Sequence, residues 1–493
     1  MLHACVGMDQ NLILLGITSS LLIVFGAVGT LFRYRTNEIL YLADWFVAAL
    51  VGYGGFAMLT FIGYLAANPD ARLLVSEHST LAWIYPVLCC LVIVGTWLSI
   101  WAFNPADKLN PLNQHWAIVP PLMRYQIVAV AMLVIGLVSY WLYARSYGGF
   151  SQLLAQAAGI RAGLVDVGDN PYTFLKRFGG FVFFSVLIFS GIILTKSKGA
   201  LHSVLSWSGF SISFAVSLFI LYSWEGRLGL VMFLLIVPLG YLLHKSGPSL
   251  KTLRRSLLLV IIPAIVLPAS SAIWGKSSNL ENVGAFFVKE LSYPVVSLTR
   301  AHETNSLRYM KDILAAPAYL FPTRVWQGIL GLDTATDVNT RNIIGVSKGE
   351  RGSTTAAPVD IVTFSFMQAH YLGAVIVGFL IGAVLCRLDV FIARHFYGGT
   401  RAMLLSYSVL FVATNTVLYG DPKHIIVRNF HFIIGIVLLW WLARRDTKTS
   451  HATTLQSNPI HAPARLDNSI RINYVLYTDS HVDTQAEKQF NFV

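Results

Sequence analysis

The chain has 493 residues, of which 55% are hydrophobic and only 12% are charged, and its mean hydropathy is +0.62. Soluble domains contain about a quarter charged residues, so half that proportion, together with repeated apolar runs of about 20 residues, indicates a membrane protein. The formal net charge of +12 comes from Lys and Arg residues at the ends of apolar runs. That placement is typical of membrane topology and argues against nucleic-acid binding.

The cysteines and the N-terminus exclude two further classes. Cys5, Cys89, Cys90 and Cys386 form no CxxC or Cys/His pattern, and three of them lie in or beside apolar runs. We therefore expect packing roles and no metal site or disulfide framework. The N-terminal MLHACVGMDQN contains no basic segment, so the first apolar run is expected to be a retained span and not a cleaved signal peptide.

Eleven apolar runs are candidate membrane spans. They are centred on residues 12–32, 42–66, 81–103, 125–143, 178–195, 201–222, 228–243, 256–274, 358–385, 402–418 and 426–443. Every second link is short and basic, and the positive-inside rule places those links in the cytoplasm. The sequence therefore predicts an all-α, polytopic membrane helical bundle of about 11 transmembrane helices, with the N-terminus outside and the C-terminus inside.

Four regions follow from this pattern. Residues 1–274 are predicted to form an N-terminal transmembrane bundle of eight spans, with a periplasmic loop at 144–177. Residues 275–357 form a long, partly helical periplasmic loop, whose Trp, Tyr and Phe residues indicate that it is folded. The C-terminal transmembrane helices occupy 358–446. Residues 447–493, which are polar and lack periodicity, are predicted to be a flexible cytoplasmic tail.

Several catalytic motifs are missing from the sequence. It contains no Gly-rich phosphate loop, no HExxH, no GxSxG and no closely spaced DxD pair. Their absence argues against nucleotide hydrolases, zinc hydrolases, serine esterases and metal-dependent transfer from nucleotide-sugars. Transfer from a lipid-linked donor remains, because its leaving group is already a phosphate and fixed cations can stabilise that charge.

Three arginines lie in or beside the predicted outer links of the bundle. Arg227 ends a very short link, where an ionisable group at membrane depth costs roughly 2.5–3.5 kcal/mol and is a functional candidate. Its planar guanidinium suits a phosphate, and a structural pair with Glu225 is the alternative. Arg145 and Arg161 flank a predicted amphipathic surface helix, where they either meet a lipid headgroup or anchor the helix.

The densest polar cluster of the long loop is the segment 299–308. His302 or Glu303 is predicted to act as the general base on a sugar hydroxyl. Arg300 and Arg308 are predicted to hold anionic oxygens beside it. A solvated helix face is an equally good explanation of the same spacing.

Two further clusters of charged and aromatic residues follow in the chain. Arg324 and Trp326 lie in the turn FPTRVW, where they either contact sugar and phosphate together or form a cation–π contact. Asp421, His424 and Arg428 lie between the last two predicted spans and are candidates for the rim of the same cavity.

Taken together, these features resemble the bacterial family of O-antigen or oligosaccharide repeat-unit polymerases. The matching pieces are the Gly-Gly loop from Tyr147 to Arg161, the link Glu225-Gly226-Arg227, the segment FPTRVW at 321–326, and Ser353 to Pro358 followed by a span containing Gly373, Gly378 and Gly382. One departure concerns the start of that span. Relatives often carry a Glu there, whereas Thr363 to Gln368 contain no carboxylate.

The resemblance implies a glycosyltransferase that joins undecaprenyl-diphosphate-linked oligosaccharide units into O-antigen or a related surface polysaccharide. It would act at the periplasmic face of the bacterial inner membrane, without a nucleotide, a metal ion or another cofactor. The candidate catalytic residues are Glu303, His302 and Arg227, and the candidates for binding the diphosphate or the glycan are Arg145, Arg161, Arg300, Arg308, Arg324 and Trp326.

The expected partners are the lipid-linked oligosaccharide and the bilayer, with a chain-length regulator and a flippase as further candidates. Three alternatives remain open at this point. The first is a lipid-linked oligosaccharide flippase or other transporter, although the chain shows no matched halves of the kind many transporters have. The second is an O-antigen ligase, which uses the same donor with another acceptor. The third is an acyltransferase or an inactive membrane scaffold.

Overall fold

The computed structural model describes residues 2–37, 39–67, 81–103, 122–162, 172, 174–195, 200–224, 227–262, 266, 283–321, 324–347 and 356–442. Within these ranges the regular structure is helical and contains no β-strand, so the predicted all-α class is confirmed. The predicted cytoplasmic tail lies outside the described residues.

The α-helices are numbered in chain order. The first twelve are α1 (Leu2–Asn37), α2 (Leu42–Val51), α3 (Ala57–Ala67), α4 (Ile84–Phe103), α5 (Leu122–Arg145), α6 (Phe150–Ala155), α7 (Ala157–Ala162), α8 (Leu175–Phe178), α9 (Phe181–Leu194), α10 (Ala200–Ser223), α11 (Arg227–Ser246) and α12 (Leu250–Ser256). The others are α13 (Val283–Glu303), α14 (Lys311–Leu314), α15 (Ala335–Ile344), α16 (Ile361–His395), α17 (Gly398–Phe411), α18 (Pro422–Arg428) and α19 (Phe430–Leu442). π-helical turns occupy Gly52–Phe56, Arg324–Ile329 and Val412–Thr416, and 3₁₀ turns occupy Leu257–Val260 and Ala316–Leu320.

Among the described residues, 8 helices are long and apolar enough to cross a membrane, or up to 9 if the bent pair α18 and α19 counts as one span. The multi-pass membrane character is therefore supported, and the finer count of 11 stays a prediction. The predicted span at 256–274 lies largely outside the described residues. The predicted span at 402–418 corresponds to α17 and the π turn that follows it, and it is not among the eight.

Small residues allow the helices of the bundle to approach closely. A Cβ atom on Gly378 of α16 would lie 2.2 Å from the carbonyl oxygen of Val92 in α4, and the Thr96 hydroxyl donates to the Gly378 carbonyl at 3.2 Å. At a second crossing, a Cβ on Gly399 of α17 would lie 2.2 Å from the carbonyl of Gly191 in α9. Such contacts replace the hydrophobic effect as the force that joins helices in lipid.

The helix α16 is broken near its start. Ala369 has φ −166° and ψ 46°, and His370 has φ 51° and ψ −136°, a left-handed conformation that is rare for a residue with a side chain. Gly373 lies against the carbonyl of Ser365: a Cβ atom added to Gly373 would be 2.2 Å from that oxygen. The chain therefore folds back at the break. The part after it, 371–395, gives about 25 residues and roughly 37 Å, enough to cross a hydrocarbon core of about 30 Å.

The described residues within 283–360, here called the loop domain, fold against one end of the bundle. Asn339 is fully buried at its centre, where its amide donates to the carbonyls of Ala357 (3.1 Å) and Pro358 (3.2 Å) and accepts from the Ser297 hydroxyl (3.0 Å). A buried amide with these partners holds the segment before α16 onto α13 and α15.

Two buried carboxylates form hydrogen bonds between the loop domain and the bundle. Asp360 accepts a hydrogen bond from the Tyr85 hydroxyl at 3.1 Å, at the start of α4. Asp421 accepts from the backbone N–H groups of Lys423 (2.9 Å) and Thr336 (3.0 Å), so it caps α18 and contacts the first turn of α15. The end of the bundle where these contacts lie is called the loop-domain end below.

Candidate functional site at the loop-domain end

Arg308 lies inside the loop domain in a buried ion-pair network. Its Nη2 atom donates to Asp312 at 2.9 Å and to Asp333 at 3.0 Å, and its Nε atom also donates to Asp312. The side chains of Arg308 and Asp312 are 7% and 0% exposed, and Gln368 donates to Asp312 at 3.0 Å. Two carboxylates thus already engage this guanidinium, which favours a structural role for Arg308, and its predicted contact with substrate stays a prediction.

Hydrogen bonds within this network favour the charged forms of Arg308 and Asp333, whereas at Asp312 burial outweighs them and raises the pKa. Burial alone would raise the pKa of Asp333, but hydrogen bonds from Arg308 and Lys311 outweigh burial and hold that pKa well below its ordinary value. Burial alone would lower the pKa of Arg308, and its hydrogen bonds to Asp312 and Asp333 raise it instead. Arg308 and Asp333 are therefore both charged at neutral pH.

The end of α13 carries three of the predicted site residues. Arg300 donates to Glu303 at 2.9 Å, and both side chains are exposed, at 41% and 43%. Their pairing fits the solvated helix face that the sequence left open. The His302 ring is also exposed and lies against Phe366, with 6.0 Å between ring centres, and the His370 ring lies 4.9 Å from the same phenyl ring.

Trp326 is fully buried, so its ring is not open to a sugar. The Tyr319 ring meets it edge-on at 5.2 Å between centres, and the Lys423 ammonium lies 4.8 Å from its centre. Trp326 therefore makes a cation–π contact with Lys423, whereas the contact offered as an alternative was one with Arg324. The side chain of Arg324 lies outside the described residues.

The other three predicted arginines lie on the helices of the N-terminal bundle. The Arg145 guanidinium lies 5.7 Å from the Trp141 ring centre at the end of α5. The predicted surface helix after it is observed as the two short helices α6 and α7, and Arg161 lies on α7. Arg227 is the first residue of α11. The side chains of Arg161 and Arg227 lie outside the described residues.

A polar cluster surrounds Arg428, the last residue of α18. Its Nη1 atom donates to Asn415 Oδ1 at 2.6 Å, and its guanidinium lies 4.0 Å from the centre of the Tyr419 ring. Asn415 belongs to the π turn Val412–Thr416, a feature frequently found at functional sites. Among the residues that the structure describes, no carboxylate pairs with Arg428. Its positive charge is therefore held by a neutral amide and an aromatic face.

Contacts connect this cluster to the start of α11. The Asn415 amide donates to the Met232 sulfur at 2.9 Å, and Met232 lies five residues after Arg227 on the same helix. The Lys176 ammonium lies 5.6 Å from the ring centre of Trp224, which is three residues before Arg227 in the chain. The contacts of Lys176 and of the Arg428 cluster therefore lead to residues close to Arg227 in sequence.

Comparison of the chain with protein-family models, curated proteins and solved structures finds no match. Within the described residues, no group of three or more His, Cys, Asp or Glu side chains is arranged to hold a metal ion.

From the sequence, Arg428 is only a candidate for the rim of the predicted site, and Asn415 is not among the candidates. Asn415 could nevertheless have been identified from the sequence, because an amide inside an apolar span is energetically costly unless it has a hydrogen-bond partner or a function. Its contact with Arg428 crosses the link between two helices, and spacing along the chain does not predict it.

Proposed function

We propose that this chain is a glycosyltransferase that joins undecaprenyl-diphosphate-linked oligosaccharide units into O-antigen or a related polysaccharide at the periplasmic face of the bacterial inner membrane. The loop-domain end would face the periplasm, in keeping with the positive-inside rule applied to the basic links. The observation that supports the proposal is Arg428, a cation held at this end of a membrane bundle by neutral partners.

The proposed reaction places negative charge where such a cation is useful. A hydroxyl oxygen of the acceptor unit forms a bond to the anomeric carbon of the growing chain, while the bond from that carbon to the diphosphate oxygen breaks. The electron pair goes to the diphosphate, and the hydroxyl proton goes to a base. Each charge-assisted hydrogen bond to the leaving group contributes about 1.5–3 kcal/mol, or roughly 10–150-fold in rate.

The roles of the other residues follow from their surroundings. Arg227 begins the helix next to the Arg428 cluster and is the second proposed contact for the diphosphate. Of the two predicted bases, His302 is preferred, because the Glu303 carboxylate is engaged by Arg300 whereas His302 is exposed beside a phenyl ring. An imidazole can accept a proton at one of its ring nitrogens, which is the role a general base requires.

The test is the surface-glycan profile of a deletion strain complemented with variants of the chain. For the deletion itself, a single repeat unit on the lipid core supports a polymerase. Finished chains that stay on the lipid carrier would support a ligase, and units held at the cytoplasmic face would support a flippase. Either of the last two results overturns the proposal.

Variants at Arg428 test the assignment of the site. Arg428→Ala is expected to abolish long glycan ladders at a normal protein level, and Arg428→Lys to restore short ones, because Lys keeps the charge without the planar fork. Arg254→Ala, which removes an exposed charge from α12, is the matched control and is expected to leave the ladder unchanged. Ladders of ordinary length in Arg428→Ala would remove Arg428 from the mechanism.

A further inference from the structure

An apolar groove of about 460 Å³ runs between α16, α17 and α19, inside the membrane-spanning part of the bundle. Its walls consist of branched and aromatic side chains, such as Leu385 on α16, Phe411 on α17 and Ile436 on α19. The volume falls in the range of ligand pockets, about 300–1,000 Å³. Such a groove accepts a hydrocarbon and offers very little to a polar ligand.

The groove opens sideways on the outer surface of the bundle. Val384 of α16 and Val437 of α19 lie on opposite walls and are 64% and 50% exposed. Exposed valines on spanning helices face the hydrocarbon layer, so a molecule dissolved in the bilayer can enter without crossing water.

The groove reaches from the loop-domain end past the middle of the spanning part of α16. After the break in α16 it extends from Val377 to Leu388, a length of roughly 16 Å at 1.5 Å per residue, and Ile361 and Phe364 before the break line it as well. At its upper end, Ile313 of the loop domain and Pro422 of α18 line the groove. The upper end of the groove therefore lies on the loop-domain side.

Two basic residues are sequence neighbours of residues that line the upper end of the groove. Lys423 follows Pro422, and Arg428 precedes Asn429, which lines the groove. Arg428 is also hydrogen-bonded to Asn415, the neighbour of the lining residue Thr416. An apolar channel with positive charge near one end is complementary to a lipid with a hydrocarbon chain and an anionic headgroup.

We infer that this groove binds the hydrocarbon chain of a polyprenyl diphosphate, with the diphosphate between Lys423 and Arg428; the identity of the lipid rests on the proposed function. A single groove suits a lipid with one chain, whereas a phospholipid carries two acyl chains. The loop domain reaches the upper end through Ile313, so the glycan on the diphosphate would extend beneath or beside the loop domain.

Binding is tested on the full-length protein in detergent micelles, with undecaprenyl diphosphate as the probe and native mass spectrometry as the readout. Val384→Trp fills the groove and is expected to weaken binding at least tenfold. Val134→Trp, on the exposed surface of α5 (51% exposed), is the matched control and should bind as the wild type does. Val437→Trp fills the groove from the opposite wall and replaces Val384→Trp if that variant fails to fold.

The headgroup is tested by a second comparison. Arg428→Ala should lower the affinity for undecaprenyl diphosphate while the affinity for undecaprenol, which lacks the charge, stays the same. Unchanged binding of the diphosphate in both groove-filling variants would overturn the inference. Its displacement by an equal concentration of phosphatidylglycerol would also overturn it, because the groove would then be a general lipid site.

The two proposals fail in different ways. If the groove variants lose the lipid but the deletion strain has the phenotype of a ligase or a flippase, the groove assignment stands and the polymerase proposal falls. If glycan ladders depend on the chain but the groove variants keep both ladder and lipid, only the groove assignment falls.

Discussion

Replacement of Arg308 by Ala tests whether its ion-pair network holds the loop domain together. The substitution leaves the carboxylate of Asp312, which is 0% exposed, with Gln368 as its remaining side-chain donor. Removal of one partner from a buried ion pair costs about 3–5 kcal/mol. That corresponds to a rise of roughly 150–5,000-fold in the fraction of molecules whose loop domain is open.

The opening is measured by limited proteolysis of the purified protein in micelles, at protease concentrations where the cleavage rate follows the open population. Arg300→Ala is the control, because its pair with Glu303 is exposed and such pairs contribute about 0–1 kcal/mol. The double variant Arg308→Met/Asp312→Asn should recover most of the resistance, since no buried charge is left without a partner.

Two outcomes would refute this reasoning. If Arg308→Ala were cleaved as slowly as Arg300→Ala, the network would not be holding the loop domain. If the double variant regained resistance to protease but still made no glycan ladders, Arg308 would contact the substrate, as the sequence alone predicted.

Three other predictions concern stability. The native pKa of Asp333 is lowered, so above its unfolded pKa of about 3.9 this carboxylate stabilises the fold, and the stabilisation is lost as the pH falls below 4. Between pH 6 and pH 3, the unfolding temperature of Asp333→Asn should therefore fall less steeply than that of the wild type. Gly378→Ala should lower the unfolding temperature, because the new Cβ atom would meet the Val92 carbonyl at a cost of about 1–3 kcal/mol. Gly63→Ala is the control and should be neutral, because a Cβ atom there meets no atom within 4 Å. Trp326→Ala should destabilise the loop domain by about 3–5 kcal/mol, measured by the same proteolysis, since its ring is fully buried; cleavage at the wild-type rate would contradict this.

The sequence predicts the helical spans well where one apolar run makes one straight helix. The run 125–143 is observed as α5, Leu122–Arg145, and the run 81–103 contains α4. The run 358–385 is different, because both sides of the break at His370 are apolar and hydropathy does not distinguish a bend from a continuous span. The close approach of Gly373 to Ser365 is a tertiary contact, so the sequence alone does not reveal it.

The site is less predictable than the fold, since it depends on which charges meet. The four-residue spacing of Arg308 and Asp312 would suggest an ion pair on a helix, but the structure forms this pair across a turn in which Tyr309 and Met310 have positive φ. The second partner, Asp333, lies 25 residues away in the chain and reaches Arg308 only through the fold of the loop domain. Counting arginines in the sequence therefore overestimates how many guanidinium groups are available to bind an anion.

The difference between Arg308 and Arg428 suggests a last experiment. A diphosphate would have to displace carboxylates from Arg308, whereas at Arg428 it meets a guanidinium whose side-chain hydrogen bond is to the neutral Asn415. Asn415→Asp would place a carboxylate at that position, and repulsion between it and a phosphate about 5 Å away would cost roughly 3 kcal/mol at an effective dielectric constant of about 20. We expect a fold at least as stable as the wild type, judged by thermal unfolding, with a loss of about 100-fold in affinity for undecaprenyl diphosphate and no long ladders. Asn415→Ser, which adds no charge, is the control. If Asn415→Asp kept normal ladders, the neutral surroundings of Arg428 would have no part in binding the anion.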